Sequence, residues 1–97
     1  MNLVWAPLAI ERVAEIASYI AEDNPVAAEK WIRDVFARTG QLTLFPQSGR
    51  RLPETSRRDV RELIWENYRI IYRIRPNQVA ILAVRHTKQV LPLEDLK

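Results

Sequence analysis

One stretch, Val60 to His86 (VRELIWENYRIIYRIRPNQVAILAVRH), limits the folds open to this chain more than any other. It reads as three short strands in succession. Val60–Trp65 is followed by a Glu66-Asn67 turn, Tyr68–Arg75 by a Pro76-Asn77 turn, and Gln78–Arg85 completes the set. Connections this short make the three strands antiparallel neighbours, a meander. Side chains alternate along a strand. The middle strand therefore sends Tyr68, Ile70, Tyr72 and Ile74 to one face, and Arg69, Ile71, Arg73 and Arg75 to the other. A slip of one residue would exchange the two faces, so the register should be firmly set. The last strand is apolar on both faces, the pattern of a central, doubly covered strand.

A meander needs a cover, and the upstream residues supply it. Asn2–Trp5 is a short apolar run, read as an N-terminal strand added at the sheet edge. Pro7 suits the first turn of a helix, where its missing N–H costs nothing. Ile10, Val13, Ile16, Ala17 and Ile20 then recur at helical spacing as one apolar stripe. Asp23-Asn24-Pro25 ends that helix, because the residue before a proline is pushed out of the helical region. Asn24 suits the N-cap of a second helix and Pro25 its first position. Ala28, Trp31, Ile32, Val35, Phe36, Thr39 and Leu42 continue the period to about Phe45. Gly40 falls inside this run and weakens it by about 1 kcal/mol relative to alanine. The link between the helices is so short that they should form an antiparallel hairpin.

Hairpin and meander satisfy each other's need for burial. The expected fold is α+β: an N-terminal strand and an antiparallel helical hairpin packed on one face of an antiparallel three-stranded meander. The opposite sheet face is left at least partly open. Residues 1–97 suit a single domain, with the hairpin at about 7–45, a basic loop at 46–59, the sheet at 60–86 and a short tail at 87–97.

Charge is unevenly distributed along this chain of net charge +3. The first 49 residues carry four basic and six acidic side chains, the rest eleven and six. All but Lys30, Lys88 and Lys97 of the basic residues are arginines, whose planar fork suits phosphate or carboxylate. Arg50, Arg51, Arg57 and Arg58 lie in the 46–59 loop, which at roughly 14 residues exceeds the usual connection length. An unpaired buried guanidinium is costly, so Arg69 and Arg73 are expected on the helix-free face. The pattern fits a polyanionic or acidic partner, or else a solvated basic surface.

Several chemistries are excluded. There is no cysteine, hence no disulfide, thiolate nucleophile or Cys-based zinc site, which suits a reducing cytoplasm. No apolar run approaches the roughly 20 residues of a membrane span, and MNLVWAPLAIERV lacks the features of a signal peptide. No Gly-rich phosphate loop, Ser-His-Asp set or metal cluster is visible, so no cofactor and no metal are expected.

Two readings of the sheet residues stand. Metal-free RNA cleavage needs a base, a cation for the phosphorane and an acid. Arg61, Arg69 and Arg85 could hold phosphate and His86 could move a proton with Glu62 in support, although a lone histidine at a strand end is often structural. A binding surface needs less: Arg61, Trp65, Tyr68, Arg69, Arg73 and Arg85 are the Arg and aromatic types that interfaces favour. Trp65 and the tyrosines are equally suited to core packing.

The order of motifs resembles bacterial toxins of the RelE/ParE superfamily, the toxic halves of type II toxin–antitoxin pairs. The resemblance covers the small-residue-rich first helix, Asp23-Asn24-Pro25 with Ala27-Ala28, Leu44-Phe45-Pro46, Gly49-Arg50, Val60-Arg61-Glu62-Leu63, Tyr68-Arg69-Ile70-Ile71-Tyr72-Arg73 and Val84-Arg85-His86. It implies a cognate antitoxin that masks the working surface. Some members of the superfamily cleave mRNA in the ribosome; ParE-like members inhibit DNA gyrase. The strand motifs are more similar to ParE. Arg69 matches an arginine that the nucleases place at the cleaved phosphate. Thr87 and Lys88 stand where the nucleases carry a further base, arginine or aromatic residue. The resemblance thus implies a gyrase-binding toxin, with a ribosome-dependent mRNA endonuclease as the alternative.

Overall fold

The computed structural model describes residues 1–88; of the tail expected at 87–97, all but Thr87 and Lys88 lies outside the described residues. The element order is β1 (Asn2–Trp5), α1 (Pro7–Asp23), α2 (Pro25–Gly40), a 3-10 turn (Gln41–Thr43), β2 (Arg50–Arg51), β3 (Val60–Trp65), β4 (Tyr68–Arg75) and β5 (Gln78–His86). The helix starts follow the sequence logic. Pro7 and Pro25 occupy first-turn positions, and the Asn24 side chain accepts from the Ala27 backbone N–H at 3.1 Å. Asn24 itself is extended (φ −154°, ψ 95°), so one residue both ends α1 and caps α2.

α2 stops at Gly40 rather than near Phe45. The apolar period runs on through Leu42, but in a tighter 3-10 turn, which buries Leu42 and leaves Leu44 and Phe45 exposed.

The sheet has five strands in the order β1-β5-β4-β3-β2. The expected antiparallel meander is its centre. β1 joins the outer side of β5 in parallel, from Asn2 opposite Gln78 to Trp5 opposite Ile81. β5 is therefore an internal strand, as its two apolar faces require. The fifth strand was not expected: Arg50 and Arg51, inside the 46–59 loop, pair with Glu62 and Arg61 of β3. Two residues cannot show a periodicity, and here pairing alone makes the strand.

Both helices pack on one face. Ala9, Val13 and Ala17 of α1 and Trp31 and Val35 of α2 form one core with Leu42, Trp65, Ile70, Tyr72, Val79, Ile81 and Val84. The other face carries a smaller cluster of Val60, Ile71, Leu82 and Ala83, closed by Leu52 from the loop, which is 2% exposed. A bulge builds this second cluster. Ile71 pairs with Ala83 and Tyr72 with Ile81, so Leu82 has no counterpart in β4 and both Leu82 and Ala83 join the helix-free side.

Tyr72 ties the loop to the sheet from the helix side. Its hydroxyl donates to the Pro46 carbonyl at 2.7 Å and accepts from the Gly49 N–H at 2.9 Å. Gly49 is required there. A Cβ at that position would lie 2.5 Å from the Glu62 carbonyl oxygen and 2.6 Å from the Tyr72 hydroxyl.

Candidate functional site

The helix-free face is organised by Arg69. Its guanidinium lies under the loop with all three nitrogens engaged: Nε donates to Glu62 Oε1 at 2.7 Å, Nη1 to Glu54 Oε2 at 2.6 Å and Nη2 to Glu54 Oε1 at 2.7 Å. The bidentate fork to Glu54 is the strong geometry for this ion pair. Glu62 is fully buried, and its other oxygen accepts from Arg50 Nε at 2.8 Å. One turn of the loop further on, Asp59 accepts from Arg73 Nε at 2.9 Å and from Arg57 Nε and Nη2 at 3.2 and 3.0 Å. Residues 50–59 thus form a strap over the sheet, fastened by Leu52, Glu54 and Asp59.

The electrostatics follow from the contacts. The Arg69 hydrogen bond holds the Glu54 carboxyl below its ordinary range. Arg57 first, then Arg73, does the same for Asp59. The Arg69 guanidinium is held protonated still more firmly than usual, by Glu54 foremost and by Glu62 against the opposing effect of burial. Beside this network a cavity of about 460 Å³ is lined by Arg50, Pro53, Glu54, Ile64, Arg69 and Thr87.

The residues singled out from sequence divide between the two faces. Arg69 and Arg73 are on the helix-free side, as the alternation requires. Arg85 lies directly opposite Arg69 in the adjacent strand and is half-buried. Arg61 is not with them. It pairs in register with Tyr72 and so faces the helix side, where Nη1 donates to the Gly49 carbonyl at 2.8 Å. The parity of β3 explains the split: Val60 and Glu62 take the helix-free face, so Arg61, between them, cannot.

Trp65 is in the core, 7% exposed, with its ring 6.1 Å from that of Trp31. Tyr68 packs against both tryptophans. His86 is paired in register with Tyr68, its ring edge-on to that tyrosine at 5.8 Å, and its Nδ1 accepts from the Lys88 N–H at 3.2 Å. The expected single display of Arg61, Trp65, Tyr68, Arg69, Arg73 and Arg85 is therefore two separate surfaces. The set Arg61, Arg69, Arg85 and His86 is likewise divided, with Arg61 and His86 on the helix side.

Sequence reasoning missed Glu54 and Asp59 as partners of the arginine row. A signal for pairing existed in Glu62. A carboxylate between Val60 and Ile64 on one face of an internal strand needs a cation, and Arg50, opposite it in β2, and Arg69, diagonally across in β4, both supply one. Among the described residues no three His, Asp or Glu side chains converge as metal ligands. Nor is any described helix long and apolar enough to cross a membrane.

A two-layer α+β protein with a helical hairpin on one face of its sheet and a charged strap across the other is the class these features define. A family model described as the ParE toxin of the type II toxin-antitoxin system, parDE, matches residues 3–91. A candidate toxin, Y4kP, of Sinorhizobium fredii (strain NBRC 101917 / NGR234) is 36% identical over 92 residues, covering 91% of this chain and 90% of that protein. A chain in the solved structure of the chromosomal ParDE TA system from P. aeruginosa superposes with a TM-score of 0.75 at 22% identity, covering 91% of this chain and 97% of its own; it speaks for the fold. The chain belongs to the ParE toxin family of type II toxin–antitoxin systems. Membership implies an antitoxin partner.

Proposed function

We propose that the chain is a toxin that arrests growth by binding and inhibiting a DNA topoisomerase, DNA gyrase, in the cytoplasm, and that its cognate antitoxin neutralises it by covering the working surface. The observation that carries this choice over RNA cleavage is the division of the candidate chemistry. Arg69, the counterpart of the nucleases' phosphate-holding arginine, has all three nitrogens on carboxylates. His86, the one titratable imidazole, belongs to the other face. A general acid or base must reach the proton it moves in the same pose in which phosphate is held. Here the sheet itself stands between the two groups. Thr87 and Lys88 add no further base beside Arg69. Binding requires only a preformed surface, and the resemblance to ParE-like toxins, which inhibit DNA gyrase, is what points to gyrase as its target.

The test is paired. Purified protein added to gyrase with relaxed plasmid should stop supercoiling, while a ribosome-dependent translation reaction containing the same protein keeps its mRNA intact. Cleaved mRNA with undisturbed supercoiling would establish the endonuclease instead. The antitoxin encoded beside the toxin should restore supercoiling when added in equimolar amount.

A further inference from the structure

We propose that the helix-side end of the sheet carries a receptor for a basic side chain, arginine or lysine, presented by a partner protein segment. The site is separate from the strap and does not rest on the gyrase reading. At the β3–β4 turn three aromatic rings meet: Trp31 and Trp65 are stacked at 6.1 Å (28° between planes), and Tyr68 stands 5.3 Å from Trp31 and 6.1 Å from Trp65. They line a cavity of about 300 Å³ together with Asp34, Glu66 and Lys30. Lys30 is committed to Asp34 at 2.7 Å. Glu66 is exposed and makes no hydrogen bond or ion pair among the described residues, yet its charge is felt by both the Lys30 ammonium and the Tyr68 hydroxyl. An uncommitted carboxylate at the mouth of an aromatic cavity is complementary to a cation, which aromatic faces also attract.

Two further observations point the same way. The indole Nε1–H of Trp31, a residue 6% exposed that lines the cavity, is buried without an acceptor among the described residues, an unmet hydrogen bond in the body of the aromatic cluster. Glu66 is also the only non-glycine residue among those described with positive φ, at 53°. The first position of a two-residue hairpin turn with this backbone favours glycine. A glutamate there holds a less favoured conformation at the turn that borders the cavity. Tyr68 also lines a second cavity, with Glu15, Tyr19 and His86, where Glu15 adds a carboxylate already approached by Arg12 at 3.4 Å.

The probe is a blocked heptapeptide with one central arginine, titrated into the full chain while the indole N–H resonances are followed. Trp5, which packs against Phe36 away from the cavity, is the internal reference. Saturable shifts of the Trp31 and Trp65 resonances are expected, with binding roughly tenfold weaker when citrulline replaces arginine, the size of one cation–aromatic contact with an exposed ion pair. Glu66→Gly supplies the decisive arm. It relieves the turn and should raise the urea midpoint, yet weaken the peptide by about fivefold. Equal affinity for the citrulline peptide, unchanged affinity in Glu66→Gly, or shifts confined to Trp5 would overturn the proposal. A glutamate-centred peptide binding as well as the arginine one would also overturn it.

Discussion

Removing Arg69 while leaving Glu62 in place is the severest test of how the helix-free face is held. In Arg69→Met the fully buried Glu62 carboxylate keeps only Arg50, whose side chain is 64% exposed and so offers a weak, water-screened charge. Glu54, with a 32% exposed side chain, can turn to solvent and loses little beyond the fork. Breaking a buried pair from one side costs about 3–5 kcal/mol. With Arg50 still present the lower end applies, about 3 kcal/mol. A urea slope of about 2 kcal/mol/M then moves the midpoint down by roughly 1.5 M. The second half of the test is Arg69→Met combined with Glu62→Leu. An apolar pair in that position extends the cluster of Leu52, Val60, Ile71, Leu82 and Ala83, and such replacements are often neutral or stabilising. The double variant should lie within about 1 kcal/mol of the parent, a coupling well above the roughly 0.5 kcal/mol expected of independent sites. Equilibrium unfolding followed by tryptophan fluorescence measures all three chains, Trp31 and Trp65 being buried reporters. If Arg69→Met alone loses less than about 1 kcal/mol, or the double variant loses the sum of the singles, the buried-charge reasoning fails.

The strap's other attachments give smaller, separable effects. Tyr72→Phe removes the hydroxyl that serves both Pro46 and Gly49 and should lower stability by about 1–3 kcal/mol, with exchange of the Gly49 amide accelerated. Gly49→Ala should cost at least as much, about 1–3 kcal/mol or more, because the new Cβ meets backbone and a buried ring. Gly40→Ala meets nothing within 4 Å and should stabilise by up to about 1 kcal/mol; the two glycine variants are compared by thermal unfolding. The Glu54 carboxyl is depressed below 4.5 in the fold, so its contribution is complete above that pH and is lost as pH falls through the lower folded value. Stability should therefore drop on acidification below about pH 4.5, and Glu54→Gln should flatten that drop when midpoints are compared across pH 3–6.

The elements were legible in the sequence because each rests on a strong local signal. Asn24 between two helices, prolines at their first turns and the alternation of Tyr68–Arg75 set those boundaries, whereas the end of α2, expected near Phe45, falls at Gly40. What the sequence concealed depends on partners distant along the chain. β2 is two arginines with no pattern of their own. The bulge at Leu82 lies in a strand apolar on both faces, where an extra residue leaves no trace in hydropathy. The arginine row was legible on its face, but its condition was not. Alternation gives direction, whereas the occupancy of Arg69 is decided by Glu54, fifteen residues upstream in a loop without regular structure. The placement of Arg61 was recoverable from the parity of β3, since Glu62 and Arg61 must take opposite faces.

The strap also explains how a domain of this size can leave one sheet face without helices. A bare face would expose Val60, Ile71, Leu82 and Ala83 to water. Ten residues of loop cover it by inserting one leucine and by matching two carboxylates to two arginines, which fixes the loop without a second layer. The arrangement has a consequence for any partner of this face. A ligand seeking the Arg69 guanidinium must displace a bidentate carboxylate and leave Glu54 to be rehydrated, so simple phosphate has no advantage there over the resident acid. A macromolecule can instead engage what remains at the surface, including the exposed Ile64 and the arginines of the strap, while the network beneath stays intact. On this reasoning Glu54→Gln should loosen the strap without creating nuclease activity, and inhibition of supercoiling should survive it; mRNA cleavage appearing in that variant would mean that the strap, and not the division of the two faces, keeps the chemistry silent.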